Sequence, residues 1–183
     1  MTDVEYPQVT MAMVMSVDGR TTDDKHSTAQ WSSLEDQAHF AALKETNDAI
    51  IMGRQTYDAV RTMIQPDPEK PRIIMTRNPE AYTGQQVPGL QFSDQTPQRV
   101  LGNLAASGHK RVLLAGGAIT NSLFLDARCV DTIVLTVEPL LFGRGEPLVN
   151  TLSDAISLRL QDVQKLGTQA VAIWYGVSYG EER

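Results

Sequence analysis

Cysteine and histidine are scarce in this chain of 183 residues: one Cys and three His. His26, His39, His109 and Cys129 fall at no metal-ligand spacing, so no metal is expected, and each histidine reads as a surface residue. A lone cysteine excludes an internal disulfide and fits a reducing cytoplasm, the expected compartment. No apolar run approaches a membrane span, and residues 1–7 lack the basic and apolar regions of a signal peptide. Positive charge is also short. A formal net charge of -6 speaks against a general nucleic-acid binder, so any field for an anionic ligand must be local. Three glycine motifs are missing: G-x-G-x-x-G, G-x-x-x-x-G-K-[ST] and G-x-S-x-G. Their absence removes the ordinary dinucleotide fingerprint, the P-loop and the hydrolase nucleophile elbow. Hydride transfer, with a cofactor carrying the chemistry, remains.

What is present is an apolar fraction of 42% and a length that suits a single domain, 1–183. The stretch Ala49-Ile50-Ile51-Met52-Gly53-Arg54-Gln55-Thr56-Tyr57 organises the rest. Four apolar residues read as a strand buried on both faces; a glycine ends it, and a helix begins. The unpaired N–H groups of a first helical turn suit an anion, and Arg54 adds a planar cation. Two more strand ends carry similar residues, Thr76-Arg77-Asn78 and Gly116-Gly117. Together the three junctions suit a ligand with several phosphates, beyond the carboxyl ends of a sheet.

Elsewhere, residues 9–16 read as a central strand and 20–30 as a long polar loop. Ser32 with Glu35, and Ser33 with Asp36, make overlapping capping boxes for a helix over 34–46. Asp36, Phe40 and Leu43 share one face of that helix, so Asp36 ends an apolar stripe. A helix to Met63, strands at 72–76 and 90–92, and a helix over 97–107 follow; 80–89 reads as loop. Next come a strand at 112–115, a helix over 118–126 and a strand at 132–137. A hairpin of 158–166 and 170–175 ends the chain. Alternating strands and helices predict an α/β fold, a mostly parallel sheet with helices on both faces and a C-terminal antiparallel hairpin.

These residues resemble the dihydrofolate reductase superfamily over most of the chain, from about Val9 to Tyr175. That likeness implies a three-layer dihydrofolate-reductase-like fold and NADPH as cofactor. It places the cofactor against Val14, Gly53, Arg54, Gln55, Thr56, Thr76, Arg77, Asn78, Ala115, Gly116, Gly117, Ala118, Ile119 and Thr120. Arg54 and Arg77 would face the 2′-phosphate, and the glycine pair would admit the nicotinamide and pyrophosphate. Asp36 matches the catalytic carboxylate one turn into the first helix. Thr136 matches the threonine that pairs with it, and Ala12, Met13 and Phe40 complete the substrate side.

Two segments resemble the riboflavin-biosynthesis reductases of the superfamily. They are Ser16-Val17-Asp18-Gly19-Arg20 and the glycine-rich run from Pro139 to Leu148. The D-D-P-x-L-T segment of those enzymes is absent after Thr56, where Tyr57-Asp58-Ala59-Val60-Arg61 stand. Asp36, Thr136 and that absence make dihydrofolate the leading substrate expectation. The alternative is a ribosylamino-pyrimidine phosphate of the riboflavin pathway. A third reading, of another class, is a non-catalytic NADPH-binding module. The hairpin edge could pair two subunits, and the likeness to riboflavin-type relatives implies a homodimer.

Overall fold

A computed structural model describes residues 6–23 and 31–180. The reading of residues 1–5, and of 24–30 within the polar loop, lies outside them. Eight strands form one sheet: β1 (Gln8–Ser16), β2 (Ala49–Gly53), β3 (Arg72–Met75), β4 (Leu90–Ser93), β5 (Arg111–Leu114), β6 (Thr132–Glu138), β7 (Ser157–Leu166) and β8 (Ala170–Ser178). Their order is β4-β3-β2-β5-β1-β6-β8-β7. Pairing is parallel from β4 through to β6, and β8 runs antiparallel to both β6 and β7. This is the α/β sheet with a terminal hairpin that the alternation of elements predicts.

Among the described residues four α-helices pack on the sheet: α1 (Leu34–Thr46), α2 (Arg54–Val60), α3 (Pro97–Ala106) and α4 (Ala118–Asp126). Two apolar clusters lie on its two faces. One joins Met11, Ile51, Leu101, Leu114, Phe124 and Leu135; the other joins Ala12, Ile50, Met52, Ile74, Leu113 and Val134. The split follows the period of two along each strand: Ile51 goes to one face, and its neighbours Ile50 and Met52 to the other. Phe40 and Leu43 of α1 pack on the second cluster, as their spacing requires.

Several boundaries differ from the expected ones. The helix ending at Met63 is α2 followed by a tighter 3-10 turn, Arg61–Met63. The segment expected as loop contains a 3-10 helix, Pro79–Gln85, whose first turn is capped by Asn78. Strand β8 runs to Ser178 because Gly176 and Val177 still pair with β6 or β7. Its hairpin partner carries a register shift between Leu160 and Asp162.

Phe124 has no exposed surface and is the largest fully buried side chain. Phe124→Ala should therefore cost about 3–5 kcal/mol, the usual range for an aromatic cavity. A urea unfolding midpoint lowered at unchanged slope would show it; a midpoint within error of the parent would refute the packing described.

Candidate active site

The first half of the site is a carboxyl group buried between α1, β1 and β6. Ser33 caps α1: its hydroxyl accepts the Asp36 N–H at 3.1 Å. The cap thus comes from the second of the two overlapping boxes. Asp36 then lies one turn inside the helix on its inward face, and is 6% exposed. Register places Ala12, Val14 and Ser16 of β1 beside Val134, Thr136 and Glu138 of β6. All six project to the face that α1 covers. The Thr136 and Ser32 hydroxyls hydrogen-bond the Asp36 carboxyl.

Burial raises the Asp36 pKa above its ordinary 3.8, and the negative charge of Glu138 adds to the rise. The Thr136 and Ser32 hydrogen bonds and the nearby His39 act the other way. His39 stands one turn after Asp36, edge-on to Trp174 at 5.3 Å, and burial lowers its pKa. It is half-buried rather than the surface residue expected, because i and i+3 share a helix face.

The second half lies at the carboxyl ends of the adjacent strands β2 and β5. Gly53 N–H donates to the Gly116 carbonyl at 2.6 Å, and Ala115 N–H to that of Ile51 at 2.8 Å. Gly53 and Gly117 are the N-caps of α2 and α4, and neither helix has a side-chain cap bond. By contrast, Ser33 and Thr96 cap α1 and α3 through their side chains. Two helix N-termini without side-chain caps thus start on neighbouring strands, an arrangement whose unpaired N–H groups suit an anion. Gly116 has φ +79 and its peptide with Gly117 is cis. A Cβ on Gly116 would lie 2.5 Å from the Met13 Sδ, and one on Gly117 3.4 Å from the Thr56 Oγ1. These contacts bring β1, the start of α2 and the glycine pair together. Residues of this kind fit a dinucleotide: bare backbone, open helix termini and arginines at the rim.

Not every expected residue stands alike. Ala12 and Val14 share the face of Asp36, whereas Met13 packs on the opposite cluster and reaches Gly116. Phe40 is half-buried with the Lys44 ammonium 5.4 Å from its ring centre. Arg54 is held at 2.7 Å by Asp58 of its own helix, and also bonds Tyr82. Gln55, Arg77, Asn78 and Ile119 are exposed; Thr76 accepts the Asn78 N–H at 3.3 Å. Ala118 and Thr120 are buried in the first turn of α4, with Thr120 packed against Gly53. Ala115 is half-buried on the way to the glycines.

The rim is built by the two segments that resemble riboflavin-type reductases. The Asp18 carboxylate accepts the N–H groups of Phe142 (3.1 Å) and Gly143 (2.7 Å) and the Ser16 hydroxyl at 2.6 Å. The Ser16 bond, then the two backbone bonds, lower its pKa to about 2. Trp31 stands edge-on to Phe142 at 5.1 Å. Among the described residues, no group of three or more His, Cys, Asp or Glu could hold a metal, and no helix is long and apolar enough to cross a membrane.

Sheet order, terminal hairpin and site edge define a dihydrofolate-reductase-like α/β fold. Dihydrofolate reductase from Enterococcus faecalis complexed with NADP(H) superposes with a TM-score of 0.64 at 15% identity, over 96% of this chain and 100% of that one. A putative riboflavin biosynthesis protein from Shewanella sp. PV-4 gives 0.75 at 21% identity, over 94% and 99%. Within that fold, the family model of the RibD C-terminal domain matches residues 7–172, and the chain belongs to this family. The riboflavin biosynthesis protein RibD of Corynebacterium ammoniagenes is 32% identical over 174 residues. The match covers 83% of this chain and 50% of that protein, so the likeness spans half of RibD. Dihydrofolate as substrate gains no specific support from these relatives; the riboflavin-type alternative fits them better.

A carboxyl whose folded pKa lies above the unfolded value binds more protons in the native state. Stability then falls as pH rises from 3.8 through the folded pKa. Asp36→Asn cannot lose that proton, so its thermal midpoint should exceed the parent's at pH 7, and the gap should close near pH 4. A variant less stable than the parent at pH 7 would contradict a desolvated Asp36.

Proposed function

We propose that this protein is an NADPH-dependent reductase of riboflavin biosynthesis, acting on the deaminated diaminopyrimidine ribosylamino phosphate. The observation that carries the reading is the buried Asp36 carboxyl. It is held by Thr136 of β6, beside Val14 of β1, in the same sheet whose strands β2 and β5 lead into the helix termini of α2 and α4 that lack side-chain caps.

Reduced nicotinamide supplies a hydride when bound. A ribosylamino group opens to an imine, whose carbon accepts the hydride and whose nitrogen needs a proton. Asp36 is suited to hold that proton, because burial favours its neutral form. Thr136 and Ser32 fix the direction of its carboxyl. Ala12 and Val14 give the small and apolar floor on which a ring would lie. Gly53, Thr56 and the first turns of α2 and α4 would hold the cofactor phosphates, with Arg77 free of ion pairs among the described residues. Arg54 would reach a phosphate only in competition with Asp58.

A second reading, dihydrofolate, is favoured by the Asp36–Thr136 hydrogen bond, since that pair suits the amidine-like edge of a pterin. The two readings need the same fold and differ in substrate. A homodimer is supported by edge strand β7, whose Leu158, Leu160 and Val163 are 44%, 58% and 52% exposed.

NADPH oxidation measured in parallel with both substrates should be supported by the pyrimidine phosphate and not by dihydrofolate. The reverse result would replace the proposal with the second reading. NADPH binding without turnover of either would leave a binding module. Asp36→Asn should lower turnover by about 10²–10⁴-fold, the range of a lost general acid, with NADPH affinity nearly unchanged.

A further inference from the structure

The last residue of β6, Glu138, is a second buried carboxylate, 4% exposed. Among the described residues it has no ion-pair partner. Such a group is costly to bury unless donors compensate. Among the described residues two donors come from Ser33: its N–H at 2.8 Å and its Oγ–H at 2.6 Å, on the same Oε1. A serine hydroxyl has one proton to give and two lone pairs to receive with. With its proton committed to Glu138, the Ser33 oxygen presents lone pairs to the Asp36 N–H, 3.1 Å away. Hydrogen bonds in such a chain polarise one another. Thr136, two residues before Glu138 on the same face, bonds the Asp36 carboxyl itself. Strand β6 therefore grips Asp36 twice, by its amide through Ser33 and by its carboxyl through Thr136.

We propose that Glu138 is a positioning residue for Asp36, acting through Ser33 to fix the first turn of α1 and so the point at which the Asp36 carboxyl meets substrate. The proposal rests on the reductase reading above for its catalytic consequence, but not for its effect on Asp36. Besides the hydrogen bonds, the charge of Glu138 bears on Asp36 from β6, and His39 bears on it from α1 in the opposite sense. Ser32 and Thr136, which bond its carboxyl, are uncharged, as are Ala172 and Trp174 of β8, which pair with Thr136 and Val134 on β6. A plain strut for the helix start would serve as well without a charge. Glu138 supplies both a strut and a charge that adds to the effect of burial in favouring the neutral form of Asp36.

Two variants separate these effects. Glu138→Ala removes acceptor and charge; Glu138→Gln keeps an acceptor oxygen for Ser33 and removes the charge alone. Glu138→Ala should lower kcat by about tenfold to a hundredfold, as a displaced catalytic group does, with NADPH affinity unchanged. Glu138→Gln should restore most of that loss, with the limb of the pH–rate profile set by Asp36 moved to lower pH. Ser33→Ala combined with Glu138→Ala should be no worse than Glu138→Ala, because both cut one relay. The Asp36 carboxyl titration, followed by 13C NMR, should move to lower pH in Glu138→Gln. Full kcat in Glu138→Ala, multiplying losses in the double variant, or an unmoved Asp36 titration would each overturn the proposal. If Glu138→Ala does not fold, Glu138→Gln and its Asp36 titration decide alone. If the parent protein reduces no pyrimidine or pterin, the reductase reading fails, and the same titration still decides whether Glu138 governs Asp36.

Discussion

Parallel pairing of β2, β5 and β1 is the constraint from which the site follows. Strands that run the same way cannot be joined by tight turns, so each connection must cross a face of the sheet. The same pairing puts every carboxyl end on one edge, where α2 and α4 start side by side. At that edge the backbone itself makes the contacts. Gly53 bonds the Gly116 carbonyl, and Thr120 fills the space a side chain on Gly53 would need. The glycines are therefore required first by the fit of one crossover against the next. A nucleotide would profit from the bare backbone that this fit leaves.

The acidic half of the site obeys a different rule. Removing a carboxylate from water raises its pKa unless donors hold the charged form. Asp36 keeps a raised pKa despite the Thr136 and Ser32 hydroxyls. Glu138, on the facing strand, takes its hydrogen bonds from the Ser33 N–H and hydroxyl. Two acids with distinct surroundings can divide the tasks of holding a proton and of holding the proton-holder. The pair also explains why the cap of α1 falls on Ser33 rather than Ser32. The Ser33 hydroxyl reaches both Glu138 and the Asp36 amide.

Much of this was legible in the residues. The run Ala49-Ile50-Ile51-Met52-Gly53 reads as a doubly buried strand because no polar residue interrupts it, and all five positions are buried. Asp36, Phe40 and Leu43 announce one helix face by spacing. Glu138 was not legible, because a strand taken to end at Val137 leaves it in a loop; one more residue of strand puts it on the face of Thr136. His39 reads as a surface residue because the sequence does not show Trp174 standing opposite. The engagement of Arg54 by Asp58 is an i, i+4 pair, visible in principle from spacing alone. Ala12 and Met13 are adjacent in sequence, whereas the pleat sends them to opposite faces. The expectation of dihydrofolate rests on Asp36 and Thr136, whereas the relatives fit the riboflavin-type alternative better, and the segments that resemble it meet where Asp18 grips the loop at Phe142 and Gly143.

The position of β1 has a consequence for how the molecule is made. Among the described residues it is the first strand, yet both its neighbours come much later: β5 begins at Arg111 and β6 at Thr132. During synthesis from the N-terminus, an apolar strand must wait unpaired until about a hundred further residues have emerged. Asp36 waits with it, solvated, since Thr136 and Glu138 arrive about a hundred residues later. Such long-range closure makes assembly slow and leaves an exposed edge in the interim. The buried acid is thus among the last features to form, and a chain interrupted before β6 would carry an ordinary surface aspartate in its place.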